Sequence, residues 1–214
     1  EARTVVAGNV TTPGWVALAG FPKDRYYLYQ ARWLPDVPMV HLLPHWTWPG
    51  REGRTTPVHV FTSGDEAELF VNGVSQGRKK KAPFEYRLRW DDVVYQPGEI
   101  RVQAYRDGKP WASRSSRAAG SPARVEAKAD RSAITSDGRD LSFVTVRVLD
   151  RNGNPVPTAN NRIRFTLEGP GEIVATDNGD ATDMEAFPSH DRRTFSGLAL
   201  AILRGVPGKP GTIT

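Results

Sequence analysis

Residues 58–73 carry two short runs, Val58-His59-Val60-Phe61-Thr62 and Ala67-Glu68-Leu69-Phe70-Val71, and the second closes on Asn72-Gly73. Both runs are rich in Val and Phe and alternate apolar with polar positions, which predicts strands with one buried face. Asn-Gly accepts positive φ at both central positions of a type I′ turn, so a two-residue hairpin turn is expected there. Working outward, Phe84, Tyr86, Leu88 and Trp90 alternate with Glu85, Arg87 and Arg89, and Ile100 to Tyr105 repeats the pattern before a second turn at Asp107-Gly108. The expected architecture is antiparallel sheet.

The small, turn-prone Ala118-Ala119-Gly120-Ser121-Pro122 separates this block from a second series of strands. That series is expected over Arg124 to Ala129, Leu141 to Asp150, Ile163 to Glu168, Gly171 to Ala175 and Leu198 to Arg204. Its turns fall at Asp137-Gly138, Arg151 to Asn154 and Asn178-Gly179. Strands at this spacing with no helix between them predict an immunoglobulin-like sandwich. A domain boundary is expected near residue 120.

One helix is expected, from Lys23 to Leu34, with Pro22 near the first turn and Pro35 stopping it. Tyr26, Tyr29, Gln30 and Trp33 line one stripe, and Tyr27, Ala31 and Leu34 an adjoining one. So much aromatic surface on a short helix requires a substantial partner surface.

The chain has 214 residues and no Cys, which excludes a disulfide scaffold, a thiolate zinc site and a cysteine nucleophile. The apolar run Leu198 to Leu203 is far short of the roughly 20 residues that cross a bilayer as a helix, so no membrane span is expected. The net charge of +5 lies wholly in residues 1–120, where 17 basic side chains face 12 acidic ones. Its densest spot, Arg78-Lys79-Lys80-Lys81, reads as a lysine-protected sheet edge. No aromatic residues are interleaved with it as a single-strand groove needs, and no nucleic-acid partner is expected. The chain begins at Glu1 and ends on Gly211-Thr212-Ile213-Thr214, which reads as a strand just begun. The expectation is a piece of a longer protein.

The phosphate-cradling Gly-rich loops and His-Glu-x-x-His are absent from the sequence. His41 and His45 have a metal-like spacing only on a helix, which Leu42-Leu43-Pro44 opposes; on a strand they share a face but lack an evident third ligand. Asp150 to Asn154 imitates the start of a calcium loop, then departs from it at Pro155 and Asn161. Asp177, Asp180 and Asp183 place three carboxylates in one turn, and turn chemistry accounts for most of that cluster without a metal. Asp91-Asp92 and Glu66 with Glu68 are near in sequence but lie in strands and turns, so no catalytic pair, metal or cofactor is assigned. Trp46 and Trp48 fall on one side of an extended His45-Trp46-Thr47-Trp48-Pro49-Gly50, where they either stack on sugar faces or pack between helix and sheet.

Taken together, several segments resemble glycoside hydrolase family 2 of the bacterial β-galactosidase type. They are Gly20-Phe21-Pro22-Lys23-Asp24 with Tyr26, Tyr27, Tyr29 and Trp33; Pro44 to Gly53; Val60 to Gly73; and Asp140 to Val146 with Asp150 and Gly153 to Pro157. The resemblance implies a mainly β chain: two immunoglobulin-like antiparallel β-sandwich domains in tandem, with one N-terminal helix left from a (β/α)8 barrel. Residues 1–38 would be the barrel end and linker, 39–119 the first sandwich, and 120–214 the second, truncated at its C-terminus. It further implies that the two catalytic Glu lie upstream, that no residue here is catalytic, and that the missing barrel is this chain's partner. The substrate of the parent would be a β-galactoside, with glucuronides or mannosides as variants, and its location periplasmic or extracellular in a bacterium. A carbohydrate-binding module, resting on Trp46 and Trp48, and a cell-surface stalk are the competing readings.

Overall fold

The computed structural model describes residues 14–214, so the first part of the expected barrel-end segment, residues 1–13, lies outside the described residues. The chain divides into two compact units, residues 22–119 and residues 120–214, the latter joined by the described residues 14–21. Among the described residues one helix accompanies thirteen strands, and every pairing is antiparallel. The fold is mainly β and of β-sandwich type.

In residues 22–119, helix α1 (Asp24–Trp33) precedes strands β1 (Val40–Leu43), β2 (Val58–Thr62), β3 (Glu66–Val71), β4 (Val74–Lys80), β5 (Leu88–Trp90), β6 (Glu99–Arg106) and β7 (Lys109–Arg117). They form two sheets, β1-β2-β5 and β4-β3-β6-β7. Period-2 alternation aims Val58 and Val60 from the first sheet, and Ala67, Leu69, Val71, Ile100, Val102 and Ala104 from the second, into one core with Trp46 and Trp90. Each fully buried Val, Leu or Ile there contributes about 1.5–3 kcal/mol relative to exposure.

Phe61 points the opposite way from Val58 and Val60, and packs with Ala31 and Met39 beside Tyr27, Leu28 and Leu43. That places α1 on the outer side of the three-stranded sheet. Asp24 in its first turn and Arg32 in its last suit the helix dipole. Only Tyr27, Leu28 and Ala31 of α1 join this small cluster, whereas Trp33, expected on a buried stripe, is 58% exposed. A three-stranded sheet presents one row of side chains to the helix, enough to cover one stripe.

The two-residue turns form as expected, with positive φ at Asn72 and Gly73 and at Asp107 and Gly108. The strand expected from Phe84 does not. Only Leu88–Trp90 pairs, against Val58–Val60, and Phe84 is 97% exposed with φ +64°. Glu85 carboxylate accepts a hydrogen bond from Ala82 N, closing a local turn that takes these residues out of any ladder.

Residues 120–214 hold β8 (Arg124–Ala129), β9 (Leu141–Leu149), β10 (Arg162–Arg164), β11 (Gly171–Asp177), β12 (Asp191–Arg193) and β13 (Leu198–Gly205). The main sheet runs β11-β13-β9-β8, and β10 pairs with β12 alone. Val146, Val148, Leu149, Ala199, Leu200 and Ala201 are the buried apolar residues of β9 and β13. The strand expected over Ile163 to Glu168 shortens to a triplet because its partner β12 is itself only three residues long. Gly14 to Phe21 group with this unit while α1 groups with residues 22–119.

Candidate functional site

The aromatic segment 44–53 is the first candidate. Trp46 is 0% exposed: its ring lies edge-on to Tyr95, 5.0 Å between centroids, and Nε1 donates to Gln96 O. Trp48 is half-buried against the same core, with its ring stacked on His45 at 4.2 Å and Arg51 5.7 Å from its centroid. Trp46 belongs to the interior core and Trp48 packs against it. Trp46, expected as one of two stacking rings, has no face open to a sugar, because the sheet-to-sheet gap is filled by its indole. Burial lowers the His45 pKa, and the neutral ring accepts Thr47 N at Nδ1.

His41 and His45 do not converge. Strand β1 ends at Leu43, so the common face is lost. His41 Nε2 lies 2.7 Å from Asp24 Oδ1 and its ring stacks on Tyr27 at 3.9 Å. Among the described residues no group of three or more metal-ligating side chains comes together. The near-sequence carboxylates are engaged locally. Glu66 pairs with Arg78 at 2.6 Å, Glu68 accepts from Ser75, and Asp91 accepts from Arg89, which holds its carboxyl below the usual range.

The basic run lies at the end of β4, an edge strand, with Lys81 just beyond it, but it is more engaged than a solvated edge requires. Arg78 lies 3.7 Å over the Tyr105 ring, Lys79 Nζ donates to Arg89 O, and Lys81 Nζ donates to Thr62 O. Burial lowers the Lys81 pKa. These bonds fasten the edge strand to the facing sheet.

The turn 177–183 is organised by a residue that sequence reasoning missed. Arg192 is 1% exposed, and its guanidinium donates to Thr176 O, Glu185 O and Ala186 O at 2.8–2.9 Å, to Asp183 Oδ2 at 3.1 Å and to Thr176 Oγ1 at 3.3 Å. Asn178 Nδ2 adds a second bond to Asp183 Oδ2 at 2.7 Å. Burial raises the Asp183 pKa, but the Glu185 N–H and Arg192 outweigh it and hold the carboxyl below the usual range. Asp177 and Asp180 spend their Oδ1 atoms on Gly179 N and Thr182 N. The three carboxylates are thus turned to separate tasks. The signal for Arg192 was parity: buried Thr194, two residues along, marks the inward face of β12.

Comparison with known proteins bears on both units. Residues 125–214 match the family described as glycoside hydrolase family 2 C-terminal domain 5, and residues 53–112 match a domain of unknown function (DUF4982). The chain is 45% identical to the β-galactosidase BoGH2A of Bacteroides ovatus over 95% of this chain and 25% of that protein. It is 32% identical to a putative β-glucuronidase of Formosa agariphila over 93% of this chain and 19% of that one. A β-glycosidase structure from Bacteroides vulgatus superposes with a TM-score of 0.88 at 36% identity, covering 94% of this chain and 26% of that chain. The chain therefore spans about a quarter of the length of the β-galactosidase and of the β-glycosidase chain.

Proposed function

The chain belongs to glycoside hydrolase family 2, and from that premise we propose that it is the accessory C-terminal region of a retaining β-galactosidase-type enzyme, non-catalytic by itself. The observation that carries this reading is the 45% identity with a β-galactosidase along nearly the whole chain. In this reading residues 1–38 are the end of the catalytic barrel and its linker, residues 39–119 and 120–214 are the two sandwiches, and the chain's partner is the barrel of the same protein. The two carboxylates that a retaining glycosidase holds about 5–5.5 Å apart are supplied by that barrel. Location in the periplasm or outside a bacterial cell belongs to the same reading. Among the described residues no helix is long and apolar enough to cross a membrane.

The interior places of Trp46 and Trp48 support packing as their role. The experiment is a comparison of aryl β-galactoside and aryl β-glucuronide hydrolysis by the full-length protein and by the 214-residue chain. The full-length protein is expected to favour the galactoside by at least about tenfold in kcat/KM, a difference of about 1.4 kcal/mol in transition-state binding. The 214-residue chain is expected to have no turnover. Preference for the glucuronide overturns the substrate assignment, and turnover by the short chain that one internal carboxylate substitution abolishes overturns the accessory role.

A further inference from the structure

Residues 120–214 contain a cavity of about 560 Å³, within the roughly 300–1,000 Å³ range of small-ligand clefts. It lies between the turn that Arg192 holds, segment 157–160 and the hairpin turn at Phe195. We propose that this cavity binds a neutral oligosaccharide. The inference goes beyond the accessory role proposed above, since it concerns binding by this chain whatever reaction the parent performs.

Phe195 is the first argument. It is a large apolar ring, 46% exposed, on the wall of a cavity otherwise lined largely by polar groups. An aromatic face beside hydrogen-bonding groups fits a pyranose, which has an apolar C–H face and a rim of hydroxyls.

The ring is also held in place. Phe195 and Leu198 exchange backbone hydrogen bonds of 2.9 and 3.0 Å around Ser196 and Gly197, both with positive φ. Gly197 N donates to Ala159 O, and a Cβ at Gly197 would stand 2.3 Å from Val156 O. The opposite wall is fixed by Arg192. Preorganised walls spare a ligand the cost of ordering them.

The polar rim is the second argument. Among the described residues, the side chains of Thr158, Asn160 and Ser196 have no protein hydrogen-bond partner, although each lines the cavity. Asp180 uses Oδ1 on Thr182 and keeps Oδ2 for another donor. These groups supply the amide, hydroxyl and carboxylate partners that sugar hydroxyls require. Asp183 is paired with Arg192 and Glu185 with Arg162, which leaves Asp180 and Arg193 as one charge of each sign on the wall, a balance with no net attraction for a uronate or a phosphate and suited to a neutral sugar.

The test is titration of the 214-residue chain with a neutral β-galacto-oligosaccharide and with its glucuronide counterpart, read by amide chemical shifts. Saturable shifts at residues 158–160 and 195–196 are expected with the neutral sugar at millimolar concentration. Phe195→Ala is expected to weaken binding about tenfold, or about 1.4 kcal/mol, through loss of the stacking contact. Asp180→Asn is expected to narrow the discrimination against the glucuronide. Absence of saturation by about 20 mM, a Kd too weak for a built site, overturns the proposal, as does unchanged binding by Phe195→Ala. Because Phe195 is exposed, unchanged far-UV circular dichroism of that variant separates lost binding from lost fold. The activity of the full-length protein is read separately, so either proposal can fail alone.

Discussion

Residues 22–119 and residues 120–214 are both antiparallel β, yet they are held by different chemistry. Of the ten largest fully buried side chains, only Arg192 and Thr176 belong to 120–214, and they bond to each other. The other unit buries Trp46, Leu69, Leu88, Ile100 and their neighbours between two full sheets. The difference follows from sheet size. Two triplet strands, β10 and β12, offer no apolar slab to close over a loop, whereas one guanidinium satisfies several main-chain carbonyls at fixed angles. Apolar burial is indifferent to direction and pH, and the polar network is sensitive to both.

The largest effect is expected from Trp46→Ala, which empties the centre of residues 22–119 and should cost about 4 kcal/mol in denaturant unfolding. A loss below about 1 kcal/mol would break the comparison on its apolar side. Arg192→Ala should cost about 3 kcal/mol by removing the ion pair to Asp183 and the buried donors to three carbonyls, with hydrogen exchange rising first in residues 177–190. If Arg192→Met instead matches the parent in stability, the network is dispensable. Gly197→Ala should cost about 2 kcal/mol through positive φ and the close Val156 carbonyl, read as a lowered Tm. At the small end, Arg78→Ala on the edge strand should cost about 0.5 kcal/mol, the ordinary worth of an exposed pair, and a larger loss would make that edge structural.

Acid sharpens the contrast further. Hydrogen bonds hold Asp130, Asp137, Asp150, Asp183 and Asp191 below the usual carboxylate range, Asp150 at about 2 because Asn154 and Gly120 N donate to it. In residues 22–119 Asp91 is held down as well, by its hydrogen bond from Arg89. A carboxylate with a depressed folded pKa contributes its full stabilisation above its unfolded pKa of about 3.9, and loses it as pH falls through the folded value. Residues 120–214 should therefore unfold first between about pH 4 and pH 2. Five of six tryptophans lie in residues 22–119 and none in 120–214. Fluorescence should consequently lag the amide signals, and coincident transitions would refute the contrast.

What the sequence disclosed follows the same division. Alternation located β3, β6 and β9, and Asn72-Gly73 and Asp107-Gly108 located their turns, because both signals are local and the apolar face is continuous. Alternation failed at Phe84, where period-2 spacing had no strand to pair with. It was silent on β7, a polar strand recruited by its neighbour β6. At the site level, Trp46 and Trp48 were visible as aromatics, but which way they faced was set by a sheet that lies across the sandwich. Arg192 sat in a charged triplet, Asp191-Arg192-Arg193, whose middle member differs only in the direction of its side chain. Phe195 stands next to a turn fixed in part by residues distant in sequence, through Gly197 N on Ala159 O and the close Val156 O.

Three of the acceptors of Arg192 are main-chain carbonyls, those of Thr176, Glu185 and Ala186. A carbonyl is the same atom whatever side chain follows it. Apart from Thr176 and Asp183, whose side chains it also binds, the clamp is therefore blind to the spelling of the loop it holds, and the loop's other residues are free to drift, or to be redesigned for another ligand, while the scaffold beneath them stays fixed.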